Sequence, residues 1–252
     1  MISADERRQW AAAHGVSEQQ IARDHLISHV LRALSDQHPP RATFFGGTAL
    51  CRTWSEDTRL SEDIDLLVDD HVVASEALPL LVSRGIRREF PTARWVDVGR
   101  RHEVDTKLLE VGTELAVKVQ FARWRSEWRI LPVTTTPVRL RYSDLPATVD
   151  LEVPTPASIV TMKLLAWSDR QAPRDLFDLH DLALGGHFGP GVRERFQEIA
   201  GYPPETVIDT QRVPSGVEGA WESELGHQLV ELPEPATCLG TIQRALARLA
   251  GS

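Results

Sequence analysis

The sequence predicts an α/β (α+β) fold, in which a mixed sheet flanked by helices is followed by a helical C-terminal part. Three observations carry this. A short strand, a glycine pair, a helix and a second strand follow one another between positions 42 and 68. Two β-type runs flank Gly112-Thr113 as a hairpin. Past a proline-rich passage at Pro146, Pro154 and Pro156 the pattern turns helical, which sets a boundary between 1–155 and 156–252.

Taken in order, Ile21, His25, Leu26, His29, Val30, Ala33 and Leu34 fall at helical spacing. Ser17 with Gln20 reads as a capping box, so a helix is expected over 17–35, ending before Pro39. Ala42 to Phe45 is a short apolar, aromatic run closed by Gly46-Gly47, a buried strand that turns into a helix beginning near Thr48. Asp63 to Val68 reads as a strand. Val73 to Ser83 has helical periodicity, interrupted by Pro79 and expected to end near Gly85. The hairpin strands are Val104–Val111 and Leu115–Phe121, with a further β-type run at Val138–Tyr142. Helices are expected over about 157–169, 173–184, 190–200, 217–230 and 237–250.

The chain has 252 residues, enough to bury a sizeable core in one large or two smaller domains; two fit the change near Pro156 better. No stretch is apolar over the length of a membrane span and none reads as a leader, so a cytoplasmic protein without membrane contact is expected. Cys51 and Cys238 lack metal-ligand or paired spacing, as for small buried hydrophobes. The formal net charge of −8 argues against wholesale non-specific binding to nucleic acid. One basic cluster runs against that balance. Arg84, Arg87, Arg88, Arg94, Arg100 and Arg101 lie in one short stretch, and guanidinium groups suit bidentate contacts to phosphate, although charge runs are more often merely solvated. The only lysines are Lys107, Lys118 and Lys163.

The chemistry concentrates in Phe44-Phe45-Gly46-Gly47-Thr48 and Leu60-Ser61-Glu62-Asp63-Ile64-Asp65. Two carboxylates one residue apart on a strand point to the same face. Asp63 and Asp65 would thus offer hard oxygen ligands to Mg²⁺ or Mn²⁺, of the kind that binds through one or two carboxylates plus substrate phosphates. Glycines let the backbone approach a ligand closely, and the amides opening the next helix favour a triphosphate. Thr48 could add a hydroxyl donor. Singly, a Gly-Gly turn or an Asp-x-Asp is more often structural; joined in this order they point to phosphoryl-type transfer.

This pattern, Gly46-Gly47-Thr48 with Ser61-Glu62-Asp63-Ile64-Asp65, resembles the DNA-polymerase-β-like nucleotidyltransferases, and in detail the AbiEii/MenT group of toxin–antitoxin nucleotidyltransferases. A second segment resembles the same group: Met162-Lys163-Leu164-Leu165-Ala166-Trp167, Arg170, and Arg174-Asp175-Leu176-Phe177-Asp178-Leu179. The resemblance covers roughly 41–69 and 154–183. It implies a nucleotidyltransferase domain over 1–155 with the metal and NTP site, and a helical domain over 156–252 completing an active-site cleft. Asp63, Asp65, Lys163 and Asp178 would be catalytic, Asp63 and Asp65 as the metal ligands. Gly46, Gly47, Thr48, Ser61, Lys163 and Arg174 would bind the nucleotide. A plain turn hydroxyl is the bland reading of Ser61, a surface lysine that of Lys163, and helix capping that of Asp175. The implied reaction is transfer of a nucleotide from an NTP to an RNA acceptor, the tRNA 3′ end, blocking translation until a cognate antitoxin intervenes. Arg84, Arg87, Arg88, Arg100 and Arg101 would guide the RNA. A protein side chain or small molecule as acceptor, and a catalytically degenerate nucleotide-binding module, are the alternatives.

One departure matters: Gln120 stands where the wider superfamily places a third carboxylate, and a glutamine takes no proton from an acceptor hydroxyl. Lys118, on the same strand, would point the same way. Two other signals read as structural. His25 and His29 share a helix face but have no evident third ligand, so packing is expected of them. The glycines at 185, 186 and 191 follow a helix and read as a stop and loop.

Overall fold

The structure is a computed structural model and describes residues 2–36, 42–55, 59–208, 212–229 and 231–250. The chain divides into two compact units, Met1–Ser126 with Val133–Val153, and Glu127–Pro132 with Pro154–Ser252.

Unit 1 contains, in order, α1 (Ala4–His14), α2 (Glu18–Asp36), β1 (Ala42–Phe45), α3 (Gly46–Thr53), β2 (Asp63–Val68), α4 (His71–Ile86), β3 (Ala93–Arg101), β4 (Val104–Val111), β5 (Leu115–Arg123), β6 (Val133–Arg139) and β7 (Thr148–Pro154). The main sheet runs β1-β2-β5-β4-β3, and β6 with β7 forms a separate two-stranded sheet. Within this main sheet β2 and β5 pair in parallel, and the other three pairs are antiparallel. The sheet is therefore mixed, as expected, with the hairpin β4–β5 turning at Gly112, where φ is +65°.

Local chemistry explains the elements. Ser17 Oγ accepts from Gln20 N at 3.2 Å, so α2 begins where the capping signal lies; Pro39 lies outside the described residues. Leu26, Ile27, Val30 and Leu31 of α2 are buried with Ile64, Leu66, Val119 and Phe121 of the sheet and Leu78 and Val82 of α4. Each such side chain contributes about 1.5–3 kcal/mol on burial. The helix α4 carries Pro79 within it and ends at Ile86, next to Gly85 as expected. Gly85 also has a packing role: a Cβ there would stand 2.5 Å from Ala33 Cβ, so the glycine is where α4 crowds α2. The glycine pair opens α3 itself, two residues before the expected start at Thr48.

Three elements of unit 1 carry no clear sequence signal. The helix α1 is predominantly polar, capped by Ser3 Oγ accepting from Glu6 N at 3.0 Å. Most of β3 is exposed, without alternation, and β7 lies in the proline-rich passage. A buried polar network also went unseen. Arg52, fully buried, donates to Asp24 Oδ1 at 2.7 Å, to Ser28 Oγ and to the Arg139 carbonyl; Arg141 donates to Asp24 Oδ1 at 3.1 Å and to the Cys51 carbonyl; Tyr142 donates to Asp24 Oδ2 at 2.8 Å. These bonds hold Arg141 at a left-handed φ of +72° and tie α2, α3 and the segment after β6 together.

Unit 2 is helical: a 3₁₀ turn at Ser126–Ile130 leads into it, followed by α5 (Pro156–Arg170), α6 (Pro173–Leu184), α7 (Val192–Ala200), α8 (Glu205–Ile208), α9 (Ser215–Leu225) and α10 (Pro235–Ala250). Pro156 and Pro173 sit in the first turns of α5 and α6, where a missing N–H costs nothing. The helix α9 ends at Leu225, short of the expected reach to 230, a position outside the described residues. Among the described residues no helix is long and apolar enough to cross a membrane.

Candidate active site

The first cluster lies in unit 1, where β1 and β2 run antiparallel with Phe45 opposite Asp65. The next residue, Gly46, therefore meets the Asp65 side chain: a Cβ there would stand 2.3 Å from Asp65 Oδ2, and its φ is +80°. Both facts require glycine. A Cβ on Gly47 would stand 2.5 Å from Arg59 Nη2 and 3.2 Å from Ser61 Oγ. Arg59, Ser61 and Asp65 thus all press against the glycine pair.

Along β2 burial alternates. Asp63 and Asp65 are half-buried, while Ile64 between them is fully buried. The two carboxylates accordingly share the face away from Ile64. On the parallel neighbour β5, Lys118 is in register with Asp63 and Gln120 with Asp65, both half-buried between the buried Val117, Val119 and Phe121. Lys118 Nζ lies 2.6 Å from Asp63 Oδ2. Its ammonium shows that this carboxylate oxygen is accessible to a cation. Two hard oxygen ligands on one partly open face fit Mg²⁺ or Mn²⁺. Thr48, expected as a hydroxyl donor to substrate, is buried and its Oγ1 donates to the Asp63 main-chain carbonyl, so it holds the start of β2 in place. Glu62, pointing the other way, pairs with Arg23 at 2.8 Å.

The second cluster lies in unit 2. Lys163 on α5 is buried, its Nζ 2.9 Å from Asp175 Oδ1 and 2.7 Å from Asp178 Oδ2, both on α6. Arg170 grips Asp175 with both ends of its guanidinium, at 2.7 and 3.0 Å. Burial alone would raise the Asp175 carboxyl, yet the charges and hydrogen bonds of Lys163 and Arg170 hold it below the ordinary carboxylate range. Asp175 is therefore the hub of an ion network as well as an acidic residue in the first turn of α6, whose N-cap position is held by Ala172 without a side-chain hydrogen bond. Asp175 and Asp178 hold the lysine together. Arg174 lies 3.7 Å from Glu224.

Of the arginine cluster, Arg84 lies on α4, Arg87 and Arg88 follow it, and Arg94, Arg100 and Arg101 lie on β3; all six are exposed. Arg94 pairs with Glu110 and Arg100 with Asp105, each at 2.7 Å. Sequence reasoning missed Arg59. Nothing in its neighbourhood marks it among so many arginines, and only the fold brings this buried guanidinium beside Gly47.

Comparison with known proteins agrees with this geometry. The family model described as nucleotidyl transferase AbiEii toxin, type IV TA system, matches residues 29–237. Among solved structures, the nucleotidyltransferase toxin MenT4 from Mycobacterium tuberculosis superposes with a TM-score of 0.63 at 20% identity, covering 97% of this chain and 90% of that one. JHP933 from Helicobacter pylori superposes with a TM-score of 0.61 at 17% identity, covering 94% of each chain. No curated protein sequence matches. The chain belongs to the AbiEii nucleotidyltransferase toxin family of type IV toxin–antitoxin systems, which makes it an NTP-using enzyme with an antitoxin as its counterpart.

Proposed function

We propose that the chain transfers a nucleotide from an NTP to the 3′ end of tRNA and so blocks translation, in a reaction that depends on Mg²⁺ or Mn²⁺. The observation that carries this reading is the meeting of Gly46 with the Asp65 carboxylate on the face that Asp63 shares. Asp63 and Asp65 hold the cation, which when bound neutralises charge on the triphosphate. The Gly46-Gly47 backbone, Ser61 and Arg59 receive phosphate oxygens, since backbone approach and a planar guanidinium both suit them. Lys163, set among Asp175 and Asp178, is a compact phosphate ligand whose position those carboxylates dictate, with Arg174 beside them in sequence. Gln120, in register with Asp65, can hydrogen-bond substrate but takes no proton.

RNA as the acceptor is supported by the exposed guanidiniums of Arg84, Arg87, Arg88, Arg100 and Arg101, local positive charge on an acidic body. The deciding experiment incubates the purified chain with total tRNA, Mg²⁺ and each labelled NTP in turn. Label on tRNA with at least one NTP is expected, and none with an Asp63→Asn variant. Absence of label under all four removes the tRNA claim. The net charge of −8 favours a second reading, a protein or small-molecule acceptor, and signal from whole lysate that survives RNase would establish it.

A further inference from the structure

Outside both clusters, three side chains able to bind metal converge in unit 1. His25 and His29 lie on α2, and Asp144 lies between β6 and β7. The two Nε2 atoms are 3.1 Å apart. His25 Nε2 is 3.0 Å from each Asp144 oxygen, and His29 Nε2 is 3.4 Å from Oδ2. Metal–nitrogen bonds of about 2.0–2.1 Å place two ligands of a tetrahedron about 3.3 Å from one another. All three separations lie close to that value.

The rings are held in this pose by packing. His25 stands edge-on to Tyr142, centroids 5.0 Å apart, and His29 edge-on to Phe90 at 5.3 Å. The packing expected from the sequence is therefore present, and the third ligand that the sequence did not reveal comes from a residue more than a hundred positions away. The lone pairs also argue for a cation. A neutral imidazole has a single N–H, so protonating His25 Nε2 alone leaves that hydrogen shared among His29 Nε2 and two carboxylate oxygens, whereas protonating Nε2 on both rings sets two N–H groups against each other. A cation at the centre accepts a lone pair from each of the three residues. Burial lowers both histidines, His29 to about 4, and so keeps them in the neutral form that ligates.

We propose that His25 Nε2, His29 Nε2 and the Asp144 carboxylate bind one divalent ion of the Zn²⁺ class, at a site made of different residues from the Asp63–Asp65 pair. Two imidazoles and one carboxylate select such an ion over Mg²⁺, which prefers oxygen alone. His29 and Asp144 also line a cavity of about 350 Å³ with Arg32, Asp36, Arg88 and Glu89, which leaves the ion's remaining coordination open to water or a small anion. Bound there, the ion staples the segment after β6 to α2.

Metal-stripped full-length protein titrated with Zn²⁺ should show one tight site by calorimetry and a rise in Tm, and Co²⁺ should give the intense visible absorption of low-coordinate nitrogen and oxygen ligation. His29→Ala and Asp144→Asn should each lose the Tm rise and the Co²⁺ band; if the histidine variant does not fold, the partly exposed Asp144→Asn reads the same effect. Asp63→Asn should keep both, which separates this site from the one proposed for catalysis. Absence of a tight Zn²⁺ site in the unmodified chain, or unchanged binding in the folded variants, overturns the proposal.

Discussion

Gly46 and the carboxylate of Asp65 touch so closely that the smallest side chain at position 46 would reach within 2.3 Å of Oδ2. The φ of +80° at Gly46 adds about 1–2 kcal/mol of strain for any L residue. Gly46→Ala should therefore fold with a modestly lower Tm but displace Asp65, and a displacement of about 1 Å is enough to cost about 100-fold in rate. Melting curves and nucleotide-transfer assays on the same preparation separate the two effects. Full activity in a folded variant would show that Asp65 does not need its present place.

Asp63→Asn and Asp65→Asn keep shape while removing the charge that a divalent cation needs. Each should lower transfer by about 1,000-fold, the equivalent of several kcal/mol of transition-state stabilisation. Stability should change little. Asp63→Asn loses the charge that pairs with Lys118 at 2.6 Å, and half-exposed pairs of that kind contribute about 0–1 kcal/mol. A collapse of Tm in place of a loss of turnover would assign the pair a structural role.

The Lys118 ammonium lies 2.6 Å from Asp63 Oδ2, the oxygen proposed to bind the divalent ion. It should compete with that ion, so Lys118→Gln is expected to lower the Mg²⁺ concentration needed for half-maximal transfer. An unchanged Mg²⁺ requirement with lost turnover would instead place Lys118 on the substrate.

Residues close in sequence were legible, and residues joined only by folding were not. The strand β2, the hairpin β4–β5 and the Asp63–Asp65 face follow from period-two spacing that six to nine residues suffice to display. The exposed edge strand β3 lacks that alternation, because little of it packs. Arg59 beside Gly47 and Asp144 beside His25 are contacts set by the packed fold, for which no local pattern exists. Gly85 stands at the end of α4 as expected, and its second role, the close contact with Ala33, is likewise set by the packed fold.

The Asp24 network is the clearest case of a feature invisible in sequence that should dominate stability. Asp24 is buried with Arg52 and Arg141, whose charges, against the opposing effect of burial, hold its carboxyl below the ordinary range. Asp24→Ala leaves two buried guanidiniums without their carboxylate, a loss of about 3–5 kcal/mol. Thermal unfolding of the variant should show the first transition displaced downward by about 10 °C. A displacement within error would mean that the arginines find other partners.

In unit 2 the network of Lys163, Arg170, Asp175 and Asp178 predicts how stability depends on pH. The folded carboxyl of Asp175 titrates below its unfolded value, so its contribution is fully present above about pH 4, the ordinary aspartate range, and is lost as pH falls through the lower folded value. Lys163→Met removes the ammonium from between two buried carboxylates and should cost about 3–5 kcal/mol at neutral pH. As acid protonates Asp175 in the variant, and the unmodified chain loses its own ion-pair stabilisation, the difference between them should shrink. Calorimetric Tm values for both proteins from pH 7 down to about pH 2, through the ordinary aspartate range and below it, test this. A gap that stays constant across that range would show that Lys163 stabilises unit 2 by packing its methylene stem. Transfer activity measured below the variant's Tm then reports the role of the ammonium toward the triphosphate, free of its effect on folding.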